Sequence, residues 1–113
     1  MNDLQETMVR KAFDRALERI RSRDRDWARE GNLRALSHPA PDEIGVFRDT
    51  WFTFEDNTRY KIAALLADMA DENPAVVFDE LFEVLLDDEM PVVRATAISA
   101  LWESVDARLA RRM

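Results

Sequence analysis

The most strongly patterned stretch of the chain, residues 91–105, reads PVVRATAISALWESV and follows an acidic turn at residues 87–90. Proline at a first helical position gives up only an N–H that would be unsatisfied anyway, and carboxylates just ahead of it suit the positive end of a helix dipole. Large apolar side chains then fall close to the i, i+3, i+4, i+7 spacing of one helical face: Ile98, Leu101, Trp102, Val105 and Leu109. We therefore expect a helix from residue 91 whose apolar face, Trp102 included, is buried between other helices.

An apolar pattern recurs along the second half of the chain. Three positions of one predicted helix return 34 residues later in another, where Phe78, Leu81 and Leu85 repeat Ile44, Phe47 and Trp51. The first helices of the two units would be residues 42–54 and 74–86, and the second helices would be residues 58–71 and 91–105. A repeat of this length predicts two helical hairpins that bury their apolar faces against each other.

The residues of the last predicted helix also carry a resemblance. A proline after an acidic turn, then Val93-Arg94, then Ala97 and Ala100 with Leu101 behind them, resembles the second helix of a HEAT repeat. Residues 74–86 have the form of the first helix of that unit. The resemblance implies hairpins that stack side by side into an α-solenoid, a fold that usually serves as a scaffold or recognition surface.

The same resemblance implies a structural role for Arg94. In HEAT-like repeats the equivalent arginine commonly pairs with an aspartate in a neighbouring turn. The candidate aspartates in this sequence are Asp56, Asp87 and Asp88, and the corresponding arginine of the first hairpin is Arg59, 35 residues earlier.

An amphipathic segment precedes the repeats. Residues 3 to about 30 read as one long helix, because Trp27 returns to the stripe formed by Val9, Ala12, Phe13, Ala16, Leu17 and Ile20. We interpret Gly31 as the stop of this helix, in a left-handed conformation, and the proline-rich residues 37–41 as a loop.

These elements predict one all-α domain. It would be a short α-solenoid of two HEAT-like hairpins, residues 41–72 and 74–108, preceded by a long N-terminal helix within a helical cap at residues 1–36. A length of 113 residues suits a single domain, and a hydrophobic content of 47% argues against disorder.

Charge and composition narrow the classes of partner. The chain carries a net charge of −7, and residues 37–107 hold sixteen acidic but only four basic side chains. Such a surface argues against nucleic-acid binding, in which neutralisation of phosphates dominates the affinity. The absence of cysteine favours a cytoplasmic protein over a secreted one, and no apolar run approaches the roughly 20 residues that span a membrane.

Catalytic and metal chemistry find little support in the sequence. His38 is the single histidine and lies in a proline-flanked loop without an orienting partner, so we interpret it as a surface residue. The acidic run at residues 87–89 lacks the spacing and the glycine of a calcium loop. HEAT-like metalloenzymes carry His-Glu pairs, which are absent here, and HEAT-like DNA glycosylases use a basic groove. We therefore expect no enzyme, no metal and no cofactor.

The favoured function is a protein-interaction or scaffold module that binds a protein or peptide. Opposite the apolar stripes of the second helices lie small and polar side chains, namely Tyr60, Ala64 and Asp71 on one helix and Thr96, Ala100 and Glu103 on the other. The polar members of this set are the candidate partner-binding residues, although a plain solvated face is an equally simple interpretation.

Two further functions stay open at this point. One is a subunit related to the HEAT-like bilin lyases, for which only Tyr60 offers a chromophore-handling side chain. The other is the N-terminal cap of a longer solenoid.

Self-association is also expected. The flank of the last hairpin should expose apolar atoms from Val84, Val92, Val93 or Leu109, with a rim of Arg108, Arg111 and Arg112. Such a patch often marks an interface, so we expect a homodimer whose affinity falls with added salt.

Overall fold

The computed structural model describes the backbone of residues 2–112 and the side chains of residues 12–106. Within this part of the chain, helices are the only regular secondary structure, which confirms the all-α class. The helices are α1 (Asn2–Arg21), α2 (Glu30–Arg34), α3 (Pro41–Trp51), α4 (Asp56–Glu72), α5 (Asp79–Leu85) and α6 (Pro91–Arg112). None of the described helices is long and apolar enough to cross a membrane.

Several pairs of helices pack side by side. α3 lies beside α5, and α4 lies beside α6, while α6 also packs against α5 and α1 packs against α3. One continuous core connects them, and its largest fully buried side chains include Phe13, Phe47, Trp51, Leu66, Phe78 and Phe82. Trp51 therefore lies in the core, as the sequence predicts.

The first helix ends earlier than predicted. After Arg21 the chain turns at Arg23, whose φ is 57°, and the N–H of Asp24 donates to the carbonyl of Arg19 at 2.9 Å. This bond across a left-handed residue is the Schellman ending of a helix. Trp27 still reaches the core, but it does so from a turn, where Lys61 Nζ lies 5.2 Å from the centroid of its ring.

The last turn of α1 carries a local ion pair. The guanidinium of Arg21 donates to both carboxylate oxygens of Glu18, at 2.9 and 3.0 Å. This hydrogen bond holds the pKa of Glu18 below its ordinary range, and it raises the pKa of Arg21.

Gly31 is not a left-handed stop, so that prediction is wrong. It lies inside α2, and its φ is not positive. The segment is held instead by Asn32, a buried side chain whose Nδ2 donates to the carbonyls of Trp27 at 3.0 Å and Ala16 at 3.4 Å. The amide thus ties α2 back to α1, and no terminating glycine is needed.

The fifth helix is shorter than predicted, since it begins at Asp79 rather than at residue 74. The Oδ1 of Asn73 accepts the N–H of Ala75 at 2.9 Å, which makes a turn in place of a first helical turn. The N–H of Val77 then donates to Ser37 Oγ at 2.8 Å. Residues 74–78 therefore run as a connector that is tied to the loop before α3.

The predicted buried stripe of α6 is wrong. Trp102 is 65% exposed, Ile98 47% and Val105 42%, while the side chain of Leu109 lies outside the described residues. The face that packs against α4 and α5 is formed by small side chains, Val93, Ala97 and Ala100. Small residues are buried because they let the helices approach closely, which leaves the bulkier face outside.

Candidate functional site

A buried carboxylate lies where the two predicted hairpins meet. Asp88, in the turn between α5 and α6, is only 1% exposed. Its Oδ2 accepts Trp51 Nε1–H at 2.8 Å and Arg59 Nη1–H at 2.9 Å, and its Oδ1 accepts the N–H of Met90 at 2.9 Å. A buried charge is tolerated when it is paired and hydrogen-bonded in this way. Asp88 is therefore shielded from solvent, whereas its neighbours Asp87 and Glu89 are exposed.

Arg59 completes this cluster from the start of α4. Its Nη2 donates to Asp56 Oδ1 at 2.5 Å, while its Nη1 bonds Asp88. The side chain of Arg59 is 9% exposed and that of Asp88 is fully buried, so water screens this ion pair little. The cluster links the end of α3, the start of α4 and the turn before α6, and its role is structural.

Arg94 does not make the carboxylate pair that the HEAT-like resemblance implies. Its Nη1 donates to the main-chain carbonyls of Asp88, at 2.7 Å, and Glu89, at 3.0 Å. The nearby carboxylate of Asp87 is exposed and accepts Arg48 Nη2–H at 2.6 Å instead. The expected pairing is made by Arg59, and the spacing of 35 residues between the two arginines was the signal that pointed to it.

A groove of about 380 Å³ runs between α4 and α6. It brings together three of the four candidate binding residues, Asp71, Thr96 and Glu103. The small side chains of the two helices form its floor, and its full lining is Ala67, Asp68, Asp71, Val92, Ala95, Thr96, Ser99, Ala100 and Glu103. Tyr60 is 53% exposed but does not line the groove.

A second depression of about 420 Å³ adjoins this groove. The two share Asp71, Ala100 and Glu103, and the second extends under the connector between α4 and α5. Its inner wall is apolar, with contributions from Pro74, Val76, Val77, Phe78 and Phe82. Sequence reasoning missed this wall because it assigned residues 74–78 to a helix.

Both depressions are acidic at their rims. Asp71 and Glu103 line both of them and Asp68 lines the first, and no lysine or arginine among the described side chains does so. Asp79 also lines the second depression, where its Oδ2 accepts Ser104 Oγ–H at 2.9 Å. The carboxylates at the rims can attract cationic groups, and the apolar side chains of the floor can cover an apolar segment.

The side chains weighed for catalysis lie elsewhere. His38 is exposed in its loop, where its Nε2 lies 3.1 Å from the carbonyl of Ala75. Among the side chains that the structure describes, no group of three His, Cys, Asp or Glu residues could hold a metal ion.

Comparison of the chain with protein-family models, with curated proteins and with solved structures finds no match. The proposal of a function therefore rests on the geometry of the groove and of the depression beside it.

Proposed function

We propose that this chain is a protein-interaction module that binds a basic helical segment of a partner in the groove between α4 and α6. The observation that carries this proposal is the union of the groove with the apolar depression beside it, under one acidic rim. Together they form a concave strip with both an apolar floor and charged edges. The cysteine-free sequence favours a cytoplasmic setting for this module.

The framework proposed for this surface is a stack of two HEAT-like hairpins, α3–α4 and α5–α6, with α1 as a cap. Support comes from the pairing of like elements, since α3 neighbours α5 and α4 neighbours α6. The ion pair between Arg59 and Asp88 joins one hairpin to the turn of the next. A stack of this kind presents its second helices side by side, and the groove lies between them.

The floor of the groove suits a helix more than a bulky side chain. Ala67, Ala95 and Ala100 keep the surface low, so a helix can lie close to both α4 and α6. Helix-in-groove recognition works in this way, through apolar anchors spaced three and four residues apart. The apolar wall near Phe78 and Phe82 would receive one such anchor.

The charge of the rim sets the chemistry of the partner. Asp68, Asp71 and Glu103 have no cationic neighbour among the described side chains that line the groove, so an acidic partner would meet like charge there. A partner helix with lysine or arginine beside its apolar face would pair with them. Such complementarity mainly raises the association rate and excludes wrong partners.

The test uses two fluorescein-labelled amphipathic peptides with the same apolar face. One carries lysine and arginine on its polar face, and the other carries glutamate there. In fluorescence anisotropy titrations, the basic peptide is expected to bind at least about tenfold more tightly than the acidic one, with an affinity that falls as salt is added.

A pair of variants locates the binding surface. Asp71→Lys combined with Glu103→Lys reverses the charge of the rim and should weaken binding of the basic peptide by about tenfold or more. The matched control is Glu80→Lys combined with Glu83→Lys, which makes the same charge change at exposed positions of α5 outside the groove. Equal losses in the two variants, or equal binding of the two peptides, would overturn the proposal.

A bilin-handling subunit and a longer solenoid are the alternative functions. The linings of the two depressions contain no His, Cys or Tyr side chain, so the geometry gives no support to chromophore chemistry there. In a longer solenoid, a further hairpin would cover the outer side of α6. The side chains on that side are better suited to a second copy of the same chain.

A further inference from the structure

α6 carries a second apolar face on the side turned away from its buried one. This outer face consists of Ala95, Ile98, Trp102 and Val105, and all four side chains are exposed. Leu101, at its edge, is half-buried. Between residues 95 and 105 the face holds no carboxylate, because Glu103 lines the groove on the side of α4. The exposed Asp106 follows directly, one turn after Trp102. The result is a continuous apolar strip that crosses the middle of the helix.

The spacing of this strip is that of a helix-to-helix seam. Its members are separated by three, four and three residues, the alternation that keeps one face turned toward a partner helix. The buried face of α6 shows the same rhythm at Val93, Ala97 and Ala100, and that face is covered by α4 and α5. α6 is therefore built to be packed on two sides, while this chain covers one of them.

We propose that the outer face of α6 binds the same face of a second copy, with the two helices antiparallel across a two-fold axis. Two-fold pairing places one surface against itself, and a strip without carboxylates is compatible with its own image. The expected homodimer thus involves Ile98, Trp102 and Val105. Val84 and Val93, which the sequence placed on the open flank, are buried inside the molecule.

The charges at the two ends of α6 select the antiparallel arrangement. The helix spans 22 residues, about 33 Å. Its end carries Arg108, Arg111 and Arg112 in the sequence, and its start follows the exposed carboxylates Glu89 and Asp87, the latter already paired with Arg48. Antiparallel helices bring the basic end of one copy to the acidic start of the other, whereas parallel helices would bring like charges together at both ends.

The register follows from the centre of the strip. Trp102 lies near its middle, so Trp102 would pack close to the two-fold axis, and Ile98 of one copy would contact the partner's Val105. The groove between α4 and α6 lies on the adjoining side of the helix and shares only Ala95 with the strip. Its acidic residues Asp71 and Glu103 are outside the strip, so charge reversal at these two residues and Trp102→Glu test the two binding events separately.

The first experiment measures association by sedimentation equilibrium of the full chain at low and high salt. The expected result is a dimer that weakens as salt is added, since the end charges are screened. Trp102→Glu should raise the dissociation constant at least about tenfold, while Tyr60→Glu, at another exposed aromatic residue, on α4, should leave it unchanged. A monomer at high concentration in low salt, or a dimer indifferent to Trp102→Glu, would overturn the proposal. Far-UV circular dichroism checks that both variants fold.

The second experiment tests the orientation by disulfide formation. The chain has no cysteine, so Ile98→Cys and Val105→Cys can be introduced singly without competing thiols. Under mild oxidation, a mixture of the two variants should cross-link into a heterodimer faster than either variant cross-links with itself. Faster self-cross-linking of Ile98→Cys would place the two helices in parallel and overturn the antiparallel arrangement.

Discussion

Arg59 and Arg94 occupy equivalent places in the two proposed hairpins, yet their guanidinium groups meet different partners. Arg59 bonds the carboxylates of Asp56 and Asp88 in a nearly closed environment. Arg94 bonds two main-chain carbonyls of the turn that precedes its own helix. Removing one member of a buried ion pair strands the other, and this penalty far exceeds the loss of a partly exposed hydrogen bond.

This contrast gives a prediction at the scale of the residue. Arg59→Ala should lower the free energy of unfolding by about 3–5 kcal/mol, because it leaves the Asp88 carboxylate buried without its cation. Arg94→Ala should lower it by only about 1 kcal/mol. Urea denaturation followed by circular dichroism measures both values. Losses of the same size would mean that Asp88 is not held mainly by Arg59.

The periodicity of the sequence identifies equivalent residues in the two predicted hairpins but does not identify their partners. The spacing of 35 residues marked Arg59 and Arg94 as equivalent, but it could not say which of them has a carboxylate within reach. That depends on which turn lies against which helix start, a long-range contact. Asp88 was a candidate partner from the sequence alone, while its burial and its bond from Trp51 emerge only when α3 and the last turn are brought together.

At the scale of the helix, beginnings were predicted better than endings. Proline opens α6 at Pro91, as predicted, and it opens α3 at Pro41, one residue before the predicted start, because its missing N–H needs no partner there. Pro74 opens no helix, and α5 begins at Asp79. The end of α1 was missed, since a left-handed arginine ends it and the later Gly31 looked like a stronger signal. The hydrogen bond from Asn32 to the carbonyl of Ala16, sixteen residues earlier, holds that region in place. The local sequence pattern gives no sign of this bond.

The corrected position of Gly31 reverses the expected effect of adding a side chain there. Its φ is not positive, and a Cβ built on it meets nothing within 4 Å. Gly31→Ala should therefore stabilise the protein by up to about 1 kcal/mol, because it reduces the conformational freedom of the unfolded chain. Gly45→Ala, in the middle of α3 with equally open space, is the matched comparison. A thermal denaturation series measures both, and destabilisation by Gly31→Ala alone would contradict the helical conformation of residue 31.

At the scale of the whole molecule, the orientation of α6 decides both the core and the surface. The helix offers two apolar faces in sequence, and the bulkier one looked like the buried one. Packing selects the smaller face, since Ala97 and Ala100 allow α4, α5 and α6 to come together. Three candidate binding residues, Asp71 of α4 and Thr96 and Glu103 of α6, line one groove, and the two on α6 lie on neither of its apolar faces.

Because α6 packs closely against its neighbours, the stability of the protein should be sensitive to added side-chain volume on the buried face of this helix. Ala97 is fully buried, whereas Ala95, two residues earlier, is exposed. Ala97→Leu should destabilise the protein by about 1–3 kcal/mol, because the added atoms force α6 away from its neighbours. Ala95→Leu adds the same atoms to the outside and should change the stability by less than about 0.5 kcal/mol. If chemical denaturation gave equal values for the two variants, the buried face of α6 would have to be reassigned.

Two sets of long-range hydrogen bonds have a mechanical consequence. Asp88 ties the turn before α6 to α3 and α4. Ser37 ties the loop before α3 to the connector before α5. Helices held at both places resist sliding and splaying, so the distance between α4 and α6 is set before any partner arrives. A ligand would then meet a preformed cleft and would spend little of its binding energy on reshaping it.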